Sequence, residues 1–356
     1  MMSKKKAMIA MSGGVDSSVS AYLMQEAGYE CTGAIMQMHD YAQPSDGTDS
    51  VQDARSVADR LGMPFHVIDA KSAFDQYVIQ DFIGCYECGL TPNPCIQCNR
   101  NLKFDLFLKQ AQSLGCDTIV TGHYARIRYD ENSGRHLLLK ASDASKDQSY
   151  VLYCLNQEQL AHTVFPLGEL TKDQARAIAE EHGFINARKK DSQDICFIPD
   201  GDYVAFMERY TGKTYASGEF LDLQGNVVGK HRGAVCYTLG QRKGLGLAMG
   251  APVYVCAKDM EKNTVTVGPN EALFATTLIA NNWNWIPFPT LTEPLHVTAR
   301  ARYNQKEQPA TVYPGENGTA RVVFDQPQRA MTPGQAVVLY DGEMVVGGGT
   351  IIAVEK

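Results

Sequence analysis

Residues 7–28, AMIAMSGGVDSSVSAYLMQEAG, join a short apolar run to an amphipathic one through two glycines, and this junction constrains the fold more than any other feature. AMIAM (7–11) reads as a buried strand, and Val19, Leu23 and Met24 or Ala27 recur at helical spacing until Gly28 ends the pattern. The alternation then repeats. CTGAIMQM (31–38) predicts a strand, SVQDARSVADRLG (50–62) a helix closed by glycine, and PFHVIDA (64–70) a third strand. Helical patterns cover 73–83 and 103–114, and DTIVTGHYA (117–125) returns to strand. Successive βαβ units predict the α/β class, a doubly wound, mostly parallel sheet. Ligands of such sheets collect at the carboxyl ends of the strands, so the loop after the first strand is the first candidate site.

That loop is SGGVDSS (12–18). Gly13 and Gly14 let the backbone approach a ligand, and the helix that follows offers unpaired N–H groups and the positive end of its dipole. The chemistry is that of an anion cradle. It is not Walker A, which ends in Lys-Ser or Lys-Thr, and it lacks GxGxxG. Ser12, Ser17 and Ser18 can donate to phosphate oxygens, and Asp16 follows the glycines where a carboxylate could hold magnesium.

LTKDQARAIAEEHGF (170–184) predicts one more helix, with Thr171 as N-cap and Gly183 at its end. After about residue 205 the texture turns to short β-rich runs between glycine and charged turns. From about 278 the pattern suggests a compact β-barrel, with Pro287, Pro289 and Pro294 crowding its entrance. Three domains are expected: 1–205 nucleotide-binding and catalytic, 206–277 central and β-rich, and 278–356 a C-terminal barrel. A length of 356 residues, 44% hydrophobic and 21% charged, suits such a globular chain. No run of about 18 uncharged apolar residues is present, so no membrane span is expected. The start MMSKKKAMIAMSGG reads as a solvated entry into the first strand rather than a secretory leader, and a cytoplasmic location is expected. The net charge of −7 argues against indiscriminate binding to polyanions but leaves room for a local basic face.

Four of the ten cysteines crowd into CYECGLTPNPCIQC: Cys85, Cys88, Cys95 and Cys98. In a reducing compartment such a cluster points to metal or reactive thiols rather than disulfides. A zinc site is one reading, although the six-residue interval between the pairs is shorter than the usual zinc-ribbon interval of about 12 to 20 residues. Cys31, Cys116, Cys154, Cys236 and Cys256 lie in apolar surroundings and are expected in the core.

SGGVDSS resembles the loop of the ATP pyrophosphatases, which split ATP between the α and β phosphates to adenylate a substrate oxygen. The resemblance spreads along the chain: GLTPNPCIQCNRNLKFD, TGHYAR, KDQSYVLY, DSQDICFI and YTLGQRKGLG are similar, in order, to blocks of the tRNA-specific 2-thiouridylases, the MnmA/TrmU family. The resemblance implies an adenine nucleotide alpha hydrolase-like first domain and ATP-dependent 2-thiolation of the wobble uridine of tRNA, with AMP and pyrophosphate as products. Adenylation turns a poor leaving oxygen into AMP, which a sulfur nucleophile can displace. Implied ATP contacts are Ala10, Met11, Ser12, Gly13, Gly14, Val15, Asp16 and Ser17, with Met36 near the adenine and Gly122 lining the pocket. Cys98 is implied as the thiol that releases sulfur and Cys196 as the bearer of the persulfide, which a sulfur-donor protein must load. His123 of TGHYAR could touch phosphate, although a lone histidine is more often structural. Asn93, Pro94 and Cys95 are implied to meet the target base, and Lys146, Asp147, Gln148, Arg302 and Tyr303 the tRNA, with Tyr303 able to stack on a base. Further basic groups, Arg188-Lys189-Lys190, Lys230 to Arg232 and Arg242-Lys243, could track the RNA backbone.

One departure stands out. Many members carry Asp where this chain has Cys95, so Cys95 is given no acid or base role. The change also makes Cys95, Cys98 and Cys196 candidate ligands of a four-iron four-sulfur cluster, an alternative route for sulfur. An amide-forming ligase that adenylates a carboxylate, and a metal-binding RNA module without turnover, are the other readings. Cys85 and Cys88 have no counterpart in the family pattern.

Overall fold

The computed structural model describes residues 5–40, 49–187, 189 and 195–355. The first part contains strands β1 (Lys6–Ala10), β2 (Glu30–Gln37), β3 (Phe65–Asp69), β4 (Thr118–Val120), β5 (Arg126–Asp130), β6 (Arg135–Leu139) and β7 (Thr163–Val164). Five of them form a parallel sheet in the order β3-β2-β1-β4-β7, with Ala7 of β1 facing Cys31 on one side and Thr118 on the other. Helices Val15–Glu26, Ser50–Arg60, Phe107–Ser113 and Lys172–Glu181 connect and cover it. The expected alternation is therefore present. The helix at 172–181 begins with the expected N-cap: Thr171 Oγ1 accepts from Gln174 N at 3.2 Å while Gln174 Oε1 accepts from Thr171 N at 2.8 Å.

The strand expected over 117–125 is three residues long, because at Thr121–Gly122 the chain leaves the sheet to pass against the first helix. It then forms the β5–β6 hairpin, which lies outside the parallel sheet and joins the last one.

The middle of the chain supplies β8 (Gly218–Leu221), β9 (Val227–His231), β10 (Tyr254–Asp259) and β11 (Thr264–Gly268), a four-stranded sheet in the order β10-β11-β8-β9. The remainder supplies β12 (Phe274–Trp285), β13 (Leu295–Arg300), β14 (Gln308–Pro314), β15 (Ala320–Arg329), β16 (Ala336–Asp341) and β17 (Met344–Glu355). These six run β12-β15-β14-β13-β16-β17, and β17 pairs back to β12, closing a barrel. Alternation on β15 buries Ala320, Val322 and Phe324 inside it while Arg321 faces out. Pro287, Pro289 and Pro294, expected at the entrance of the barrel, lie in the connection between its strands β12 and β13. The β5–β6 hairpin extends this sheet through Leu139 and Met344. Among the described residues no helix is long and apolar enough to cross a membrane.

Candidate active site

The loop 12–18 lies directly beyond the carboxyl end of β1 and holds itself open through its own hydroxyls. Ser17 Oγ accepts from Ser12 N at 3.1 Å and donates to Gly14 O at 3.0 Å, and Ser18 Oγ donates to the same carbonyl at 3.1 Å. No side chain caps the helix that starts at Val15, so its first N–H groups face the loop. Gly13 takes φ +70°, and a Cβ there would sit 2.7 Å from Ser50 O. Gly122 is pressed against the same turn, since a Cβ would lie 2.9 Å from Asp16 C and Ser17 N. The expected ATP residues Ala10, Met11, Ser12, Gly13, Gly14, Val15, Asp16, Ser17 and Gly122 thus share one strand edge. Met36, half-buried on β2, packs against the apolar clusters that contain Phe104 and Cys98.

Two ammonium groups border the loop, and sequence reasoning missed the role of both. Lys172 Nζ donates to Asp16 Oδ1 and Oδ2 at 2.7 and 2.8 Å, and Tyr124 OH donates to Oδ1 at 2.9 Å. Asp16, expected as a magnesium ligand, is therefore already neutralised by an ammonium on both oxygens, and as placed it does not fit that role. Lys189, expected on the RNA side, instead reaches Gly13 O at 3.3 Å and Asp53 Oδ2 at 2.8 Å. Its neighbours Arg188 and Lys190 lie outside the described residues, as do Asp191 to Asp194 of the block around Cys196.

Cys98 and Cys196 lie near enough for one to bear on the ionisation of the other. Cys98 is buried, its Sγ 3.8 Å from Sδ of Met38, just past the end of β2. Burial pushes its thiol up to about 12, the Lys103 ammonium pulls it down, and Cys196 and Cys95 push it up again. Cys196 is exposed as a residue, yet neighbours crowd its sulfur enough that lost hydration raises its pKa, with Lys103 lowering it and Cys95 raising it. The following Phe197 anchors this turn, its ring 5.4 Å from Phe82 and 5.2 Å from Phe206, in the buried cluster that also contains Cys98. Cys95 is exposed, and its N–H bonds to Asn93 Oδ1 at 3.2 Å, so Asn93 caps the helix with buried Pro94 in its first turn. Lys103 was missed because its link to Cys98 depends on helix type. Residues 99–106 are wound as a π-helix, whose wider turn brings positions five apart onto one face. His123 is held neutral, its pKa well below the ordinary value through burial and then Lys103, with Nδ1 2.7 Å from Thr121 Oγ1.

Among the described residues no three or more His, Cys, Asp or Glu side chains are gathered as a metal-ligand set. Cys95, Cys98 and Cys196 as placed do not make a cluster site, nor do the four cysteines of 85–98 make a zinc site. Cys88 is exposed, and Cys85 is half-buried with its thiol pushed up to about 11 by burial.

On the RNA side, Asp147 is buried, and its carboxylate accepts from Ala141 N at 3.1 Å and Ser149 Oγ at 2.8 Å. That carboxylate serves the loop itself. Gln148 Oε1 accepts from Tyr124 N at 2.9 Å, tying the loop to TGHYAR. Arg302 is half-buried, with Nη2 donating to Ala330 O. Tyr303 is 42% exposed, edge-on to buried Tyr150 at 5.6 Å, and close enough to Cys95 for that thiol to raise its pKa, after burial and Asp147. Lys230, Arg232, Arg242 and Lys243 are exposed.

Residues 5–200 match the family model described as tRNA methyl transferase HUP domain, 204–269 the tRNA methyl transferase PRC-barrel domain, and 275–351 the Aminomethyltransferase beta-barrel domain. The tRNA-specific 2-thiouridylase MnmA of Acetivibrio thermocellus is 51% identical over 360 residues, 98% of this chain and 100% of that protein. The protein of the same name from Clostridioides difficile is 48% identical over 357 residues, 99% of each. Among solved structures, a 4-thiouridine synthetase–RNA complex with bound ATP is a distant likeness, at 17% identity, 58% of this chain, 50% of that chain and a TM-score of 0.36. Identity near one residue in two along essentially the whole length of both curated relatives leaves one assignment: the chain belongs to the tRNA-specific 2-thiouridylase (MnmA) family.

Proposed function

We propose that the protein is an ATP-dependent tRNA-uridine 2-sulfurtransferase that converts the wobble uridine to 2-thiouridine. The loop 12–18, edged by Lys172 and Lys189, grips the phosphates of ATP. The uridine C2 oxygen attacks the α phosphorus, pyrophosphate leaves, and the oxygen becomes part of an AMP leaving group. Magnesium bound to ATP supplies further neutralisation of phosphate charge. Cys196 carries a persulfide loaded by a sulfur-donor protein. The Cys98 thiolate attacks the Cys196 sulfur, a Cys98–Cys196 disulfide forms, and the terminal sulfur leaves as hydrosulfide, reduced by the two electrons the thiols give up. Hydrosulfide adds to C2 and AMP departs; a thiol reductant then reopens the disulfide. Lys103 favours the thiolate and the departing sulfur anion. Asn93, Pro94 and Cys95 flank the target base, Lys146, Gln148, Arg302 and Tyr303 touch the anticodon arm, and Asp147 holds their loop in shape. Such chemistry belongs in the cytoplasm, where tRNA is modified, and the chain divides functionally near residues 205 and 277.

The observation that supports this most is that Cys196 lies near enough to Cys98 to raise its pKa, although the two are far apart in sequence, and that Cys98 packs on Met38 just past β2, the strand beside β1 whose end opens into the loop 12–18. The methyl transferase wording of two family models is disfavoured by the same residues, because methyl transfer needs neither an adenylating loop nor a thiol pair. An amide ligase would need no second thiol. The test is to incubate ATP with unmodified tRNA and follow AMP, pyrophosphate and 2-thiouridine. All three should form, and Cys98→Ser or Cys196→Ser should abolish 2-thiouridine while leaving one turnover of pyrophosphate release. ATP left intact in the presence of tRNA would rule the proposal out.

A further inference from the structure

The Asp16 carboxylate does not present itself to a metal. Both of its oxygens accept from one ammonium, Lys172 Nζ, at 2.7 and 2.8 Å, and Tyr124 OH adds a donor at 2.9 Å. The Lys172 side chain is 7% exposed, and a charge so enclosed persists only when paired. Its position is unusual for a lysine, since it opens the ten-residue helix Lys172–Glu181, where the dipole disfavours a cation. The backbone around it is nevertheless tied down: Thr171 and Gln174 form a reciprocal cap, and Lys172 N donates to Asp143 Oδ2 at 3.3 Å. Gly122 lies against the Asp16–Ser17 turn, where a Cβ would come within 2.9 Å of Asp16 C. A lysine held against the dipole, buried, and bidentate on the acidic residue of the loop occupies the position of a counter-cation.

We propose that Lys172 is the resident cation of the nucleotide loop: its ammonium takes the place on Asp16 that a divalent ion would otherwise take, so the magnesium accompanying ATP is held by phosphate oxygens and not by Asp16. The loop then keeps a fixed positive group whether or not nucleotide is bound. Inner-sphere binding of magnesium demands carboxylate oxygens at about 2.0–2.1 Å, which the ammonium blocks. The inference rests on reading residues 12–18 as the ATP site, and its test is separable because it uses metal alone.

The test is a titration of the full-length protein with manganese(II) alone, reading free ion by electron paramagnetic resonance, with no nucleotide or tRNA. Wild type and Asp16→Asn should bind alike, whereas Lys172→Met, which leaves Asp16 unpaired, should bind at least about tenfold more tightly than wild type. Adding Asp16→Asn to Lys172→Met should remove that gain. Lys172→Gln is the second variant if Lys172→Met does not fold, with circular dichroism as the check. Asp16-dependent manganese binding in wild type, or no gain in a folded Lys172 variant, would overturn the proposal. ATP binding to wild type, measured separately, reports on the loop reading itself.

Discussion

Gly122 shows how a single residue ties the site together. Its missing side chain is what lets the end of β4 lie on the Asp16–Ser17 turn, where a Cβ would come within 2.9 Å of backbone. Gly122→Ala should therefore displace the loop and weaken ATP binding by about tenfold or more, checked by nucleotide titration, with a smaller effect on the melting temperature. Lys103 acts on charge instead. Burial raises the Cys98 thiol to about 12, so near neutrality the folded protein holds it protonated, and sulfur release should speed up about tenfold per pH unit as pH rises toward that value. Lys103→Met removes the group that lowers both thiols, which should slow single-turnover thiolation near neutral pH and shift its profile to higher pH without changing ATP affinity. The loop glycines were legible because their motif is local, whereas the two thiols were singled out only through the family resemblance of the blocks that carry them. The partnership of Lys172 with Asp16 was not legible, since it joins residues far apart in sequence and no spacing rule signals it.

The legible elements were those whose period is strong. The parallel strands, the helix ends at Gly28, Gly62 and Gly183, all at positive φ, and the capping box at Thr171 follow from patterns within about a dozen residues. The β5–β6 hairpin was missed because it is exposed on Arg128 and Tyr129 and serves a sheet assembled from the other end of the chain. The wide turn at 99–106 was missed because over eight residues the wider spacing of a π-helix has too little length to separate from that of an α-helix. In the central sheet, Lys258 on β10 has a buried Nζ without a hydrogen-bond partner, and burial lowers its pKa to about 8. Below that pH the folded state must keep a charge in poor surroundings, whereas the unfolded chain stays protonated up to its ordinary value of 10.5. Stability should thus rise with pH from about 8 toward 10.5, and Lys258→Met should stabilise the protein at pH 7 by about 1–3 kcal/mol, a gain that shrinks over the same window. Denaturant unfolding at both ends of that window checks this.

At the scale of the whole molecule the barrel supports the chemistry as well as extending the surface. Gln335 Nε2 donates to Thr91 O at 2.9 Å and Pro92 O at 3.1 Å, and Pro333 O accepts from Thr91 N at 3.0 Å, so the barrel grips the segment that leads into Cys95 and Cys98. Gly334, at φ +91°, leaves space for this, since a Cβ would lie 2.8 Å from Thr91 N. Gly334→Ala should lower thiolation while ATP binding stays at the wild-type level, compared by parallel titration and turnover. A second tie joins the loops proposed to hold RNA: Arg300 lies 3.8 Å from Asp147 and 2.9 Å from Glu307, which also accepts from Lys140 at 2.6 Å. Glu307→Gln should raise KM for tRNA several-fold with KM for ATP unchanged, since it loosens the alignment of residues 146–148 with 302–303 without touching the nucleotide loop. That the barrel would reach back to the segment before Cys95 could not be read from a chain whose last third looks like an independent β unit. The central claim is that a Cys196 persulfide is spent on an adenylated uridine with Cys98 as the releasing thiol. Its most direct test is a single turnover, in buffer that contains magnesium but no iron or zinc, of protein loaded with radiolabelled persulfide, given ATP and unmodified tRNA, then resolved by mass spectrometry. The account predicts ATP-dependent transfer of label to 2-thiouridine with a Cys98–Cys196 disulfide left in the protein; label reaching tRNA at the wild-type rate in Cys196→Ser, or without that disulfide, would contradict it.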